Sequence, residues 1–80
     1  MVRYKLVEIK ENIATYNYFV DEGSDPGIFT FNLNTKKFSR IKLSEDDLNA
    51  GDFEGYAKIS ILRKFKADNK APESGYMVVY

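Results

Sequence analysis

Apolar and polar residues alternate along much of the first half of the chain, the period of a half-buried strand. "VRYKLVEI" (2–9) and "IATYNYFV" (13–20) are rich in β-branched and aromatic residues and are separated only by Lys10, Glu11 and Asn12, which predicts a hairpin. Pairing Ile9 with Ile13 sets Val2 opposite Val20, Tyr4 opposite Tyr18 and Leu6 opposite Tyr16. A slip of one residue would turn these rings toward Lys5, Thr15 and Asn17, so the apolar pattern itself selects the register.

"DEGSDPG" (21–27) has the glycine, proline and acid content of a loop, after which "IFTFNL" (28–33) alternates again. Pairing Val20 with Phe29 brings Tyr18 against Phe31 and Tyr16 against Leu33. "NTKK" predicts a turn, and "FSRIKL" (38–43) a fourth strand whose Arg40 and Lys42 suit an edge that must discourage further pairing. A bulge at that turn would exchange the faces of this strand.

Alternation stops at "LSEDDLNAGD", where Ser44 followed by Asp47 resembles a capping box and Glu45, Asp46 and Asp47 favour a short helical turn. From Asp52, read as an N-cap, residues 53–67 suggest a helix. Ala57, Ile61 and Phe65 fall in one row with Leu62 beside them, and Lys64, Lys66 and Lys70 complement the dipole at its end. Lys58 intrudes on this stripe, and Ala57, Ile59 and Ile61 also alternate as a strand would. "APES" with Gly75 ends the segment, and "YMVVY" (76–80) reads as a short terminal strand.

The elements predict one small two-layer α+β domain over residues 1–80: an antiparallel four-stranded meander, one helix packed on one face, and a C-terminal strand added to the sheet. One sheet face collects Val2, Tyr4, Leu6, Tyr16, Tyr18, Val20, Phe29, Phe31 and Leu33. The opposite face carries Arg3, Lys5, Val7, Thr15, Asn17, Phe19, Ile28, Thr30 and Asn32, a mixture that tolerates water. A helix of about 16 residues is roughly 24 Å long and about 10 Å across, against a sheet roughly 19 to 24 Å wide. One helix therefore covers about half of the apolar face. The acidic loop, the segment around Leu48 and Phe53, or a second copy must shelter the rest. Tyr16 and Tyr18 are either core residues whose hydroxyls stay wet or a stacking platform for a flat ligand.

Composition narrows the chemistry. The 80 residues include 12 basic and 12 acidic side chains, so no overall field holds the chain on nucleic acid or an anionic membrane. Neither cysteine nor histidine occurs, which removes thiolate and imidazole metal ligands, disulfides and the Ser-His and Cys-His pairs. The acid clusters "DEGSD", "SEDD" and "GDFEG" lack EF-hand spacing, and "GDFEG" lacks the lysine ending of a phosphate loop. No catalytic set, metal site or cofactor site is expected. The N-terminal alternation fits neither a signal peptide nor a membrane span, and a cytoplasmic protein is expected.

The leading expectation is a small non-catalytic interaction or accessory module that binds another protein, or itself, through a sheet edge or a partly open aromatic face. The alternative is a nucleic-acid-binding module using the Lys and Arg blocks with exposed rings. The candidate surface comprises Tyr16, Tyr18, Lys36, Lys37, Arg40, Lys42, Arg63, Lys64, Tyr76 and Tyr80.

Overall fold

The structure is a computed structural model that describes residues 2–20, 25–47 and 51–77. Its elements are β1 (Val2–Lys10), β2 (Ile13–Phe19), β3 (Gly27–Asn32), β4 (Phe38–Lys42), α1 (Asp52–Asp68) and β5 (Ser74–Met77). The five strands form one antiparallel sheet in the order β4-β3-β2-β1-β5, with α1 packed against one face. The expected ββββαβ α+β architecture is therefore the observed one. No helix among the described residues is long and apolar enough to cross a membrane.

Tyr4 pairs with Tyr18 and Leu6 with Tyr16, as the apolar pattern requires. The expected Ile9–Ile13 pair does not form; Ile9 faces Ala14 and Lys10 faces Ile13. The turn uses two residues instead of three, with Glu11 and Asn12 at φ 52° and 66°. Positive φ at both central positions matches the twist of the flanking strands. A bulge between Leu6 and Glu8 absorbs the resulting one-residue offset, so the rings nearer the open end of the hairpin keep their face.

The second pairing is offset by four residues from expectation. Tyr16 faces Phe29, Ala14 faces Phe31, and Tyr18 faces Gly27, which belongs to β3 and not to the preceding loop. Four is a multiple of the strand period, so every side chain keeps its face. Size complementarity selects among registers with equivalent faces. The Tyr18 ring lies across Gly27, where an added Cβ would fall inside that ring, and Gly75 of β5 is covered by Tyr4 in the same way. Tyr18 and Tyr4 thus each rest on a cross-strand neighbour that has no side chain.

The β3–β4 turn is held by Asn32, whose Oδ1 accepts the N–H groups of Asn34 and Thr35. The irregularity in that ladder lies at the far end of β4, between the Phe29–Arg40 and Ile28–Lys42 pairs, and not at the turn. Phe38 and Arg40 therefore share the helix-facing side, while Lys42 pairs with Ile28 of the opposite face.

Ala57, Ile61 and Phe65 are buried against the sheet, so residues 53–67 are helical. Asp52 is the first helical residue and not the N-cap. That position is Gly51, with φ 102° and no side chain to offer. The missing cap comes from Asp47, whose carboxylate accepts the N–H groups of Phe53 at 3.3 Å and Glu54 at 3.1 Å. These are the two orphan donors that an N-cap side chain normally satisfies. The "SEDD" segment forms a turn and not a helix where it is described, with the Asp47 N–H bonded to the Ser44 carbonyl. Leu48 lies outside the described residues. At the other end Asn69 takes the left-handed conformation and returns its N–H to the Phe65 carbonyl, as a glycine commonly does.

Replacing Gly27 with alanine is expected to destabilise the fold by about 1–3 kcal/mol, because the added methyl meets a ring that is packed on every side. Thermal unfolding should show a fall in Tm of roughly 4–8 °C per kcal/mol. An unchanged Tm would contradict the register.

Candidate functional site

Tyr16 and Tyr18 have no exposed surface, which removes both from the expected interaction surface. Their hydroxyls are not wet either. Tyr16 donates to the Pro72 carbonyl at 2.7 Å, and Tyr18 donates to Asp47 Oδ2 at 3.2 Å while accepting the Ser44 N–H at 3.0 Å. Tyr4 shares a hydrogen bond with Ser60 at 2.9 Å. Burial raises the Tyr16 hydroxyl well above its ordinary value, with Tyr4 adding to the effect. Burial also pushes Tyr18 up to about 12, assisted by the Asp47 and Glu54 charges and opposed by the Ser44 N–H. The margins left by the helix are closed by the chain running into α1 through Ser44 and Asp47, and by Ala71 and Pro72 after it.

The basic candidates are dispersed. Lys36 and Lys37 occupy the exposed β3–β4 turn, and Lys42 is exposed beside Ile28. Arg40 is engaged by Glu54 through two hydrogen bonds of 2.8 and 3.0 Å, and Lys58 binds the same carboxylate at 3.0 Å. Arg63 and Lys64 are exposed on α1, Tyr76 on β5, and Tyr80 lies outside the described residues. Strands β4 and β5 are the two edges of the sheet, about 19 Å apart at four strand spacings. Lys42 and Tyr76 thus belong to separate surfaces.

The buried acids have structural roles. Glu54 is only 3% exposed: burial by itself would raise its carboxyl, but the Arg40 and Lys58 hydrogen bonds and charges prevail and hold it below the usual range. Asp47 is committed to the helix cap and to Tyr18. Among the described residues no buried side-chain nitrogen or oxygen lacks a partner, and no group of three or more acids could hold a metal ion.

One surface with shape lies at the β5 side of the uncovered face. Phe19, Arg3 and Tyr76 form a row across β2, β1 and β5, with Lys5 and Ser74 in the next row. Together with Gly75 and Tyr4 they line a shallow depression of about 380 Å³ that contains no carboxylate. The Arg3 guanidinium sits 5.8 Å from the centre of the Phe19 ring, and Tyr76 is 64% exposed. Arg3, Lys5 and Phe19 were absent from the candidates read from the sequence. The signal was present as two cations spaced by two on the face opposite Tyr4, but it gained meaning only once β5 lay beside them.

The edge itself is unpaired among the described residues. Leu6 donates its N–H to the Glu73 carbonyl, and bonded and non-bonded pairs alternate in an antiparallel ladder. Tyr4–Gly75 is therefore a bonded pair, and the N–H and C=O groups of Ser74 and Tyr76 point outward.

No protein-family model matches the chain, and no curated protein or solved structure matches it.

The Glu54 cluster makes a pH prediction. A carboxyl held below its unfolded value of about 4.5 contributes stability that is full above that pH and is lost as the pH falls through the lower folded value. Resistance of the wild type to urea should therefore fall on acidification below about pH 4.5, whereas Glu54→Gln should be less stable at neutral pH with a shallower acid limb. Parallel acid limbs for the two proteins would contradict the assignment.

Proposed function

We propose that this protein is a small non-catalytic interaction module that takes an extended segment of another protein alongside the outer edge of β5. The observation that carries the reading is the outward backbone of Ser74 and Tyr76, next to a depression walled by Phe19, Arg3 and Tyr76. Strand addition draws affinity from main-chain hydrogen bonds and selectivity from pockets beside alternate side chains, and this edge offers both. The fold also favours an edge over the aromatic face, because Tyr16 and Tyr18 are sealed within the core. The opposite edge is less suited: the β4 edge carries the irregularity between Arg40 and Lys42, a device that discourages pairing.

The nucleic-acid alternative has less support. Tyr16 and Tyr18 are buried although Tyr76 is exposed, Arg40 is committed to Glu54, and its cations lie on different edges.

Selection of random dodecapeptides displayed on phage, followed by hydrogen exchange of the complex, tests the proposal. Bound peptides should newly protect the Ser74 and Tyr76 amides. Ser74→Pro removes an outward N–H that the sheet does not use, so it should abolish binding while leaving the circular dichroism spectrum unchanged. Selected peptides that protect other amides, or that bind the proline variant equally well, would overturn the reading.

A further inference from the structure

We infer that the segment received by β5 is acidic, with carboxylates on both faces of the incoming strand; this rests on the strand-addition reading above. The sheet edge is bordered by cations on each side. On the uncovered face, Arg3 and Lys5 are the cross-strand neighbours of Tyr76 and Ser74. On the helix face, Lys64 projects from α1 over Tyr4, its Nζ 5.7 Å from the ring centre. The same Nζ would meet a Cβ placed on Gly75, so the amine hangs directly over β5. Successive side chains of an added strand point to opposite faces, so adjacent acids would meet Lys64 on one side and Lys5, beside the small Ser74, on the other, while Arg3 is turned over Phe19 on the far side of β1.

This arrangement exists in a chain whose basic and acidic residues balance at 12 each, so it is local complementarity and not the reflection of a global charge. Glu73, one residue before the strand, is the nearest carboxylate in sequence, and none lines the depression. A second copy of the chain is a poor occupant. Two β5 edges meeting antiparallel would bring the cations bordering each edge, Lys64 and Lys5, toward those of the other copy, and like charges across an interface are repulsive. An acidic polypeptide supplies the opposite sign together with the backbone donors and acceptors that the edge lacks.

The probe is a blocked octapeptide with four consecutive glutamates between Val-Thr and Thr-Val ends. It is compared with its glutamine and lysine counterparts and with oligouridylate, and each is titrated into the full chain at low salt with amide exchange recorded. The glutamate peptide should protect Ser74 and Tyr76 and bind roughly tenfold more tightly than the glutamine peptide, and the lysine peptide should not bind. Lys5→Gln and Lys64→Gln should each weaken it about two- to fivefold, the range for exposed ion pairs, and Arg3→Gln should weaken it less. The advantage should shrink near 0.15 M salt, where the screening length is about 8 Å.

Equal binding of the glutamine peptide at β5 would overturn the acidic assignment while leaving strand addition intact. Failure of every peptide to protect Ser74 and Tyr76 would remove both. Protection of the same amides by oligouridylate but not by the peptides, or by concentration-dependent dimerisation, would assign the edge to nucleic acid or to self-association and overturn the proposal.

Discussion

The seat of the Tyr18 ring across Gly27 is the constraint on which the rest of the structure depends. It fixes the central strand pairing, because one residue in the register must be small enough to lie beneath the ring. It also delivers the phenol to the point where the chain leaves the sheet for the helix. There the hydroxyl donates to Asp47 and accepts from Ser44, whose own hydroxyl donates to the Asp25 carbonyl at 2.7 Å. One side chain thereby joins the middle of the sheet, the end of the β2–β3 connection and the entrance to α1.

That junction explains how a helix can start on a glycine. Asp47 satisfies the orphan N–H groups that Gly51 cannot reach, and its charge lies at the positive end of the helix dipole. In the same first turn, Glu54 draws Arg40 from β4 and Lys58 from its own helix to one carboxylate. Lys58, which interrupts the apolar stripe in sequence, belongs there because its ammonium also lies 5.7 Å from the centres of both Phe29 and Phe38. The helix is fastened at its start by polar contacts and along its length by Ala57, Ile61 and Phe65.

Period-two and helical patterns were enough to read the fold class, the strands, the apolar face and the first-hairpin register between Tyr4 and Leu6. Where the reading departed from the structure, the cause was physical. A shift of four residues between β2 and β3 preserves every face, so hydrophobicity could not detect it; the deciding residue, Gly27, has no side chain and resembles loop. The cap at Asp47 lies seven residues from the Glu54 amide it serves, beyond the range of a local capping motif. The width comparison left about half of the face to the acidic loop, the segment around Leu48 and Phe53, or a second copy, and did not foresee the chain after the helix as cover. Two irregular segments, at Ser44–Asp47 and Ala71–Pro72, do the rest through tyrosine hydroxyl bonds that a burial pattern does not show. A terminal strand was legible at 76–80, but β5 begins earlier, at Ser74, and takes in Gly75, which in sequence reads as the end of the preceding segment. Residues 78–80 lie outside the described residues. The neighbours Arg3 and Lys5 were not legible, since topology alone places that strand against β1.

With the aromatic face closed, the recognition surface we propose is a short strand edge with cations on either side, and that proposal turns on the closure. Nitration of the native protein by tetranitromethane, mapped by peptide mass spectrometry, tests it most directly, because the reagent attacks accessible tyrosines through their ionised form. Tyr76 and Tyr56, both exposed, should be nitrated in the folded protein, while Tyr4, Tyr16 and Tyr18 should react only after unfolding. Nitration of Tyr16 or Tyr18 in the folded state would contradict the sealed core and return those rings to the binding surface.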